Sequence, residues 1–400
     1  MVKPRRAWVA VIQFVAIALV VAVVSVGAVL GIAAWQLLQS GGSGVHLSGN
    51  QSPPAIGPSD GEVNLLLTGS DTRTNQAGFQ DKANLDASSG SGNNDVNILL
   101  HISTDHKNVT VVSFPRDMEV AVPACTTESG APVAASRQTM LNTTLKRGGL
   151  SCVVSTIQSL TGLSIPYAAV ISFNGVIAMS DAIGGVTVCL ATPVKDKYTT
   201  PPLDLAAGEH SLVGPIALSF LRSRYGVGNG GDLGRISNQQ VFMSALVRKI
   251  QDGGVLRDPI KLYKLATAAR SNVTPTDTLN NPLTLVSIGL ALKNVGAANT
   301  VFLQYPTLAD PLDQNRVIPD TTAAAILNKA LVDDRPVRLT GTTGVGAELP
   351  QGTPTPSASA APPSTANPPA SGRPSGGSVE LPSTVTGQRA DQQTCTKGNN

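Results

Sequence analysis

Five short segments of this 400-residue chain place carboxylates, guanidiniums and amides at the ends of apolar runs. Leu65–Arg73 reads Leu-Leu-Leu-Thr-Gly-Ser-Asp-Thr-Arg and offers Asp71 and Arg73. Asn93-Asn94-Asp95 precedes a second apolar run, and Ser113-Phe114-Pro115-Arg116-Asp117 ends a third. Leu221-Arg222-Ser223-Arg224-Tyr225 and Gly231–Gln240, with Asp232, Arg235 and Gln239, complete the set. Arginine forks match phosphate oxygens in bidentate geometry, so Arg116, Arg222, Arg224 and Arg235 could converge on a multiply charged anion. Asp71 and Asp95 would supply oxygen ligands to Mg²⁺, an ion that takes one or two carboxylates plus phosphate oxygens. Arg235 and Gln239 are four apart and share a helical face, and Asp232 suits the N-cap of that helix. Arg222 and Arg224 are two apart, which fits one side of an extended segment. Taken singly, each motif has a plain reading as a turn aspartate, a helix cap or a solvated surface pair. The chemistry depends on their meeting.

The elements that would bring them together alternate in type. Val63–Thr68, Val96–Ile102, Val109–Phe114, Tyr167–Phe173 and Val186–Leu190 are short apolar or β-branched runs bounded by turn residues, which predicts strands. Asp105-His106-Lys107-Asn108 predicts a hairpin turn between the second and third. Helical periodicity marks 152–160, 174–183, 212–221, 233–250, 259–269, 282–293 and 322–331. Such alternation predicts an α/β fold, a mostly mixed central sheet sandwiched by helices. Asp71 then falls at the carboxyl edge of a buried strand, where open α/β sheets bind ligands.

The ends of the chain differ from its middle. Between Ala7 and Leu38 the clearly polar side chains are Gln13, Ser25 and Gln36. That run exceeds the ~20 residues needed to span a bilayer. Lys3, Arg5 and Arg6 precede it and no Lys or Arg follows until Arg73, which predicts a single-pass anchor with residues 1–6 cytoplasmic and the remainder outside the cell membrane. Residues 39–59 read as a flexible linker, 60–340 as one extracytoplasmic catalytic domain, and 345–400 as a low-complexity, disordered tail ending near Cys395. The net charge of +3 equals those three N-terminal cations. A neutral body lacks the field that a nucleic-acid-binding protein needs.

Four cysteines in a chain facing an oxidising space suggest two disulfides, for which three connectivities exist. Cys125 and Cys152 bracket a stretch rich in Thr, Ser, Gly and Ala, so a bridge there would close a loop without a core of its own. Cys189–Cys395 would then pin the end of the chain to the domain. No Cys-x-x-Cys pair or histidine spacing indicates a zinc site.

Order and spacing of these motifs resemble those of the LytR–CpsA–Psr family of cell-envelope proteins, actinobacterial type. The resemblance covers roughly residues 60–335 and is carried by Leu-Leu-Thr-Gly-Ser-Asp71-Thr-Arg73, Asp95, Ser-Phe-Pro-Arg116-Asp117, Thr161-Gly162 and Asp181-Ala-Ile-Gly-Gly-Val186. Ala217-Leu-Ser-Phe-Leu-Arg222-Ser-Arg224 and Gly231-Asp232-Leu-Gly-Arg235…Gln239 extend it. The resemblance implies an enzyme that transfers a polyprenyl-pyrophosphate-linked glycopolymer onto peptidoglycan, forming a phosphodiester and releasing polyprenyl phosphate. It implies that Asp71 and Asp95 hold Mg²⁺. Arg73, Arg116, Arg222, Arg224, Arg235 and Gln239 would bind the pyrophosphate, with Asp232 and Asp117 supporting them. Asp71, Arg116, Arg222 and Arg224 would act in catalysis.

Two departures accompany the resemblance. The second family aspartate usually follows Arg-Ser or Arg-Thr, whereas Asn93-Asn94 precede Asp95 here. The segment Thr74–Gly92 is also long, which suggests a loop over the site. Two other functions are compatible with the same arginines: a polyprenyl-pyrophosphate hydrolase and a non-catalytic lipid-phosphate-binding envelope protein. A membrane-bound transcriptional attenuator fits poorly, because only six residues precede the apolar run.

Overall fold

Strand β1 (Val63–Ser70) shows how the sequence builds the two faces of the central sheet. Leu66 points to one hydrophobic core and Val63 and Leu65 to another, as the two-residue period of a strand requires. The same alternation continues in β2 (Asn94–Ile102) and β3 (Val109–Phe114), where Leu99 and Val112 join the first core and Ile102, Val109 and Val111 the second. This computed structural model describes residues 44–47, 55–57, 60–76, 78–79, 81–127, 129–251, 258–350 and 377–399. The expected membrane anchor at 7–38 and most of the 39–59 linker lie outside them. Among the described residues no helix is long and apolar enough to cross a membrane.

Two helices cover the first face of the sheet. One is α2 (Thr144–Thr161), through Leu145, Leu150, Val153 and Ile157, and the other is α8 (Thr321–Val332), through Leu327 and Leu331. The second face packs against α5 (Asp232–Gln251) and α7 (Pro282–Asn294). The remaining helices are α1 (Lys82–Ala87), α3 (Phe173–Ala182), α4 (Gly214–Arg222) and α6 (Pro259–Asn272). Helix α2 starts earlier than its periodicity predicts and bends at Gly148-Gly149. A Cβ at Gly148 would collide with Cys152 Sγ, so the disulfide itself requires glycine there.

Four further strands complete the sheet: β4 (Tyr167–Ile171), β7 (Val273–Pro275), β8 (Thr300–Gln304) and β10 (Gly387–Arg389). The order is β7-β4-β1-β2-β3-β8-β10. Strands β1 and β4 are parallel, as are β3 and β8, while β2 runs antiparallel to both β1 and β3. The ends of β1, β3 and β4 and the start of β2 therefore share one edge. The hairpin predicted at 105–108 is present, with His106 at φ +51°.

A smaller sheet of order β6-β5-β11-β9 lies beside the first. It comprises β5 (Val186–Leu190), β6 (Gly208–Leu212), β9 (Ala347–Glu348) and β11 (Cys395–Thr396). The helix expected over 212–221 starts later: Leu212 ends β6, and Pro215 opens the first turn of α4, a position that suits proline.

The tail expectation needs correcting at both of its ends. Residues 347–348 pair with β11, and 387–389 form an edge strand of the central sheet. Leu381, Val385 and Ala390 are buried in the cores, and Gln388 donates to the Gln240 carbonyl and to Ser244 Oγ. Composition concealed this because isolated apolar residues among Gly, Ser and Thr carry no periodicity. Both expected disulfides are present, Cys125–Cys152 and Cys189–Cys395, with Cα atoms 5.4 and 4.5 Å apart.

Candidate active site

The shared edge of the central sheet collects the charged motifs. Asp71 follows β1 directly, Asp95 sits in the first turn of pleat of the antiparallel β2, and Arg116 and Asp117 follow β3. Asp71 accepts from Ser88 Oγ at 2.6 Å, from the Asn93 backbone N–H at 2.7 Å and from Asn93 Nδ2 at 3.3 Å. Asn93 thus occupies the place of the expected arginine and orients the neighbouring carboxylate. The 74–92 segment folds back through α1, where Asn84 accepts from Arg73.

Asp95 is the junction of the site. Its Oδ2 lies 2.6 Å from Arg116 Nη1 and 3.7 Å from Arg235 Nη1, and its carbonyl accepts from Arg235 Nη2 at 2.7 Å. Its Oδ1 is buried with no hydrogen-bond partner. Burial opposes the charge of Arg116, yet Asp95, Asp117 and Asp232 together outweigh it and raise its pKa above the ordinary arginine value. Asp232 is the first residue of α5, and its carboxylate does not serve as the simple cap its position suggested. Its Oδ2 accepts the Arg116 backbone N–H at 3.0 Å, and its Oδ1 pairs with Arg235 Nη2 at 2.5 Å.

Arg222 and Arg224 do not share one extended side. Arg222 is the last residue of α4, and the chain turns extended at Ser223. Arg224 consequently points to Asp117, with Nη2 3.5 Å from Oδ2. Asp117 also meets Arg116 Nε at 3.4 Å and Arg316 Nη1 at 3.9 Å. Burial raises the Asp117 pKa, Asp232 adds to that effect, and the surrounding arginines oppose it. Arg222 instead stacks over the ring of Phe173, 4.3 Å from its centre, with Phe79 5.2 Å away. Its Nη1 is buried without a hydrogen-bond partner. Burial, helped by Arg73 and Arg235, lowers its pKa to about 10 against the pull of Asp95 and Asp71.

Gln239 is placed differently from the guanidiniums: its amide donates to the Leu221 carbonyl at 2.9 Å. Asn238 does the same to Phe220 at 2.7 Å and accepts from Thr396 Oγ1 at 2.8 Å. Together these amides hold the C-terminal turn of α4, whose carbonyls would otherwise lack partners. They fix the departure of Arg222 and Arg224. Sequence spacing missed Phe79, Phe173, Asn238 and Arg316, whose roles arise from contacts between distant segments.

The structure thus joins Asp71, Arg73, Asp95, Arg116, Asp117, Arg222, Arg224, Asp232 and Arg235 in one continuous charged cluster. Buried polar atoms without partners are rare in native proteins and call for an explanation. The orphaned Arg222 Nη1 suits an anion, and the orphaned Asp95 Oδ1 suits a cation beside it.

Residues 42–331 match the LytR_cpsA_psr family. The chain is 29% identical over 306 residues to the cell wall biosynthesis protein LcpA of Corynebacterium glutamicum, covering 70% of this chain and 55% of that protein. It is 27% identical over 212 residues to the polyisoprenyl-teichoic acid–peptidoglycan teichoic acid transferase TagU of Bacillus cereus, covering 53% of this chain and 59% of the relative. The chain therefore spans little more than half the length of these curated relatives. Among solved structures, the LytR-Csp2A-Psr enzyme from Actinomyces oris superposes with a TM-score of 0.52 at 21% identity, over 72% of this chain and 96% of that one. That likeness bears on the fold alone. The family match covers well over half of the sequence and contains every residue of the charged cluster, and the chain belongs to the LytR–CpsA–Psr family.

Proposed function

We propose that this protein transfers a polyprenyl-pyrophosphate-linked glycopolymer onto peptidoglycan, with polyprenyl phosphate as the leaving group. The observation that carries this reading is Arg222, a buried guanidinium resting on Phe173 with one nitrogen unpartnered and its pKa lowered to about 10. A cation held in that state is stabilised by an incoming anion. The names of the relatives, cell wall biosynthesis proteins and teichoic acid transferases, support the substrate class.

In this reading Arg73, Arg222 and Arg235 receive the pyrophosphate. A peptidoglycan hydroxyl attacks the phosphorus nearer the sugar, the bond from that phosphorus to the bridging oxygen breaks, and the hydroxyl proton leaves with the polyprenyl phosphate. The arginines stabilise charge on the non-bridging and leaving oxygens, and fixed donors of this kind act strongly where water is excluded. Phe79 and Phe173 exclude it on one side. Asp232 and Asp117 hold Arg116, Arg224 and Arg235 in place, and Arg316 braces Asp117. Asp71 is oriented by three hydrogen bonds to its oxygens, which holds its carboxylate in place as a candidate ligand.

Asp95, through its orphaned Oδ1, and Asp71 would hold Mg²⁺. The ion would add a Lewis-acid charge beside the phosphate oxygens. Residues 7–38 would anchor the protein in the cell membrane with the catalytic domain outside. The test is incubation of the full chain in detergent with a prenyl-pyrophosphate-linked sugar, Mg²⁺ and peptidoglycan. Sugar fixed to peptidoglycan with equal release of prenyl phosphate is the expected result. Equal donor breakdown without peptidoglycan identifies a hydrolase, and binding without turnover identifies a lipid-phosphate carrier.

A further inference from the structure

Helix α7 (Pro282–Asn294) has a composition that belongs in a protein interior, yet most of it faces outward. Lys293 is its sole charged residue. Ile288 and Ala291 pack into the core, while Leu283, Val286 and Leu290 are 73%, 59% and 45% exposed. Their spacing of three and four residues lines them into one stripe. A helix apolar on every side is ordinarily covered on every side. Helix α6 (Pro259–Asn272) repeats the theme with exposed Ile260 and Tyr263. The two helices carry Lys261, Lys264, Arg270 and Lys293 and no Asp or Glu.

The place where the N-terminal chain joins the domain says what covers this face. Val45 donates to the Pro275 carbonyl at 2.9 Å, and its own carbonyl accepts from the Asp277 N–H at 3.1 Å. Those residues form the connection between α6 and α7. The apolar run 7–38 ends six positions before Gly44, and six residues reach at most about 20 Å. Helix α6 therefore ends and α7 starts within a few residues of the Val45 contact, and the apolar run lies only a short stretch of sequence before Val45.

We infer that the exposed apolar stripe of α7, with the cationic α6, docks onto the outer surface of an anionic lipid bilayer. The inference rests on the proposed anchorage of residues 7–38. Apolar side chains flanked by Lys and Arg are the composition of interfacial helices, whose apolar face sinks about 5–10 Å into the headgroup boundary. Juxtamembrane Lys and Arg add attraction to anionic lipids. Docking would fix the orientation of the catalytic edge relative to a lipid-linked donor.

The test uses the full chain with Trp8→Phe and Trp35→Phe, reconstituted in phosphatidylglycerol–phosphatidylethanolamine vesicles containing lipids brominated near the headgroup. Val286→Trp reports the stripe, and Leu312→Trp, at an 89%-exposed site in the 307–319 hairpin, reports an exposed site on a different element. Quenching of the tryptophan at 286 severalfold stronger than that at 312 is the expected result. Equal quenching at both sites overturns the docking. So does a blue-shifted emission at 286 that grows with protein density and resists bromine, which would show a second copy covering the face. Flotation with vesicles after alkaline carbonate reports anchorage separately. Flotation without quenching sinks the docking alone, quenching without flotation sinks the anchor alone, and loss of both sinks both.

Discussion

The guanidinium of Arg222 stacks over Phe173 at 4.3 Å, and no carboxylate of the described residues forms an ion pair with it. Every other arginine of the cluster for which an ion pair is seen, Arg116, Arg224 and Arg235, spends its charge on an aspartate. Arg222 is thereby a cation available to an incoming anion.

Arg222→Ala should therefore separate activity from stability. Loss of a charge-stabilising donor typically lowers turnover about 10²–10³-fold, while removal of an unpaired buried charge leaves the melting temperature level or higher. A large fall in melting temperature with activity retained would make Arg222 structural. The pH dependence follows from its pKa of about 10. A cation whose folded pKa is lowered destabilises the fold while charged, and that penalty is relieved as pH rises through about 10. Binding of inorganic pyrophosphate needs the charged form, so its affinity should decline over the same range. Calorimetric titration should show that decline in the wild type and not in Arg222→Ala.

Asp95 binds two guanidiniums, so its removal acts on the fold as well as the chemistry. Asp95→Asn should lower stability by about 3 kcal/mol, the usual effect of breaking a buried pair from one side. Asp71→Asn breaks no ion pair seen in the structure and should lower it less. Both variants should lose any rise in melting temperature that Mg²⁺ and pyrophosphate produce together in the wild type. Survival of that rise in the double variant would place the metal elsewhere.

Asp117 has a pKa raised first by burial and then by Asp232. An acid whose folded pKa lies above its unfolded value favours folding while protonated, and that contribution is lost as pH rises through the raised pKa. Denaturant midpoints measured from the ordinary carboxylate range upward should contain this decline. Asp117→Asn, which cannot ionise, should lack it, and an unchanged profile would contradict the assignment.

The C-terminal segment should contribute strongly to stability despite its composition. Cys395→Ser opens a loop of 206 residues, worth roughly 5 kcal/mol in the chain-entropy model. Truncation before residue 377 removes β10 and β11 as well and should be worse. If it also releases Asn238 from Thr396, activity in any folded remainder should fall through the loosened end of α4. A truncated protein with normal stability and turnover would refute the role given to this segment.

The sequence by itself determined the strands that carry the acids. The apolar runs at 63–68 and 96–102 and the Ser-Phe-Pro-Arg-Asp stop after β3 are local patterns, and the reversed β2 between parallel β1 and β3 then brings their acids to one edge. The disulfide pairing was legible from the chain as well: one bridge closes a loop without a core of its own, and the other pins the end of the chain to the domain. Arg222 and Arg224 looked alike along the chain, and only the tertiary structure separated them, since the end of α4 falls between the two. Asn93 in place of an arginine looked like a loss until its amide proved to bond Asp71. Gly387–Arg389 and Cys395–Thr396 have no pattern of their own, because a two- or three-residue edge strand is held by its neighbours' hydrogen bonds. The periodicity of 282–293 signalled a helix, and the fold buries its Ile288 and Ala291 while leaving Leu283, Val286 and Leu290 exposed, because a hydrophobic pattern specifies that a face be covered without specifying by what.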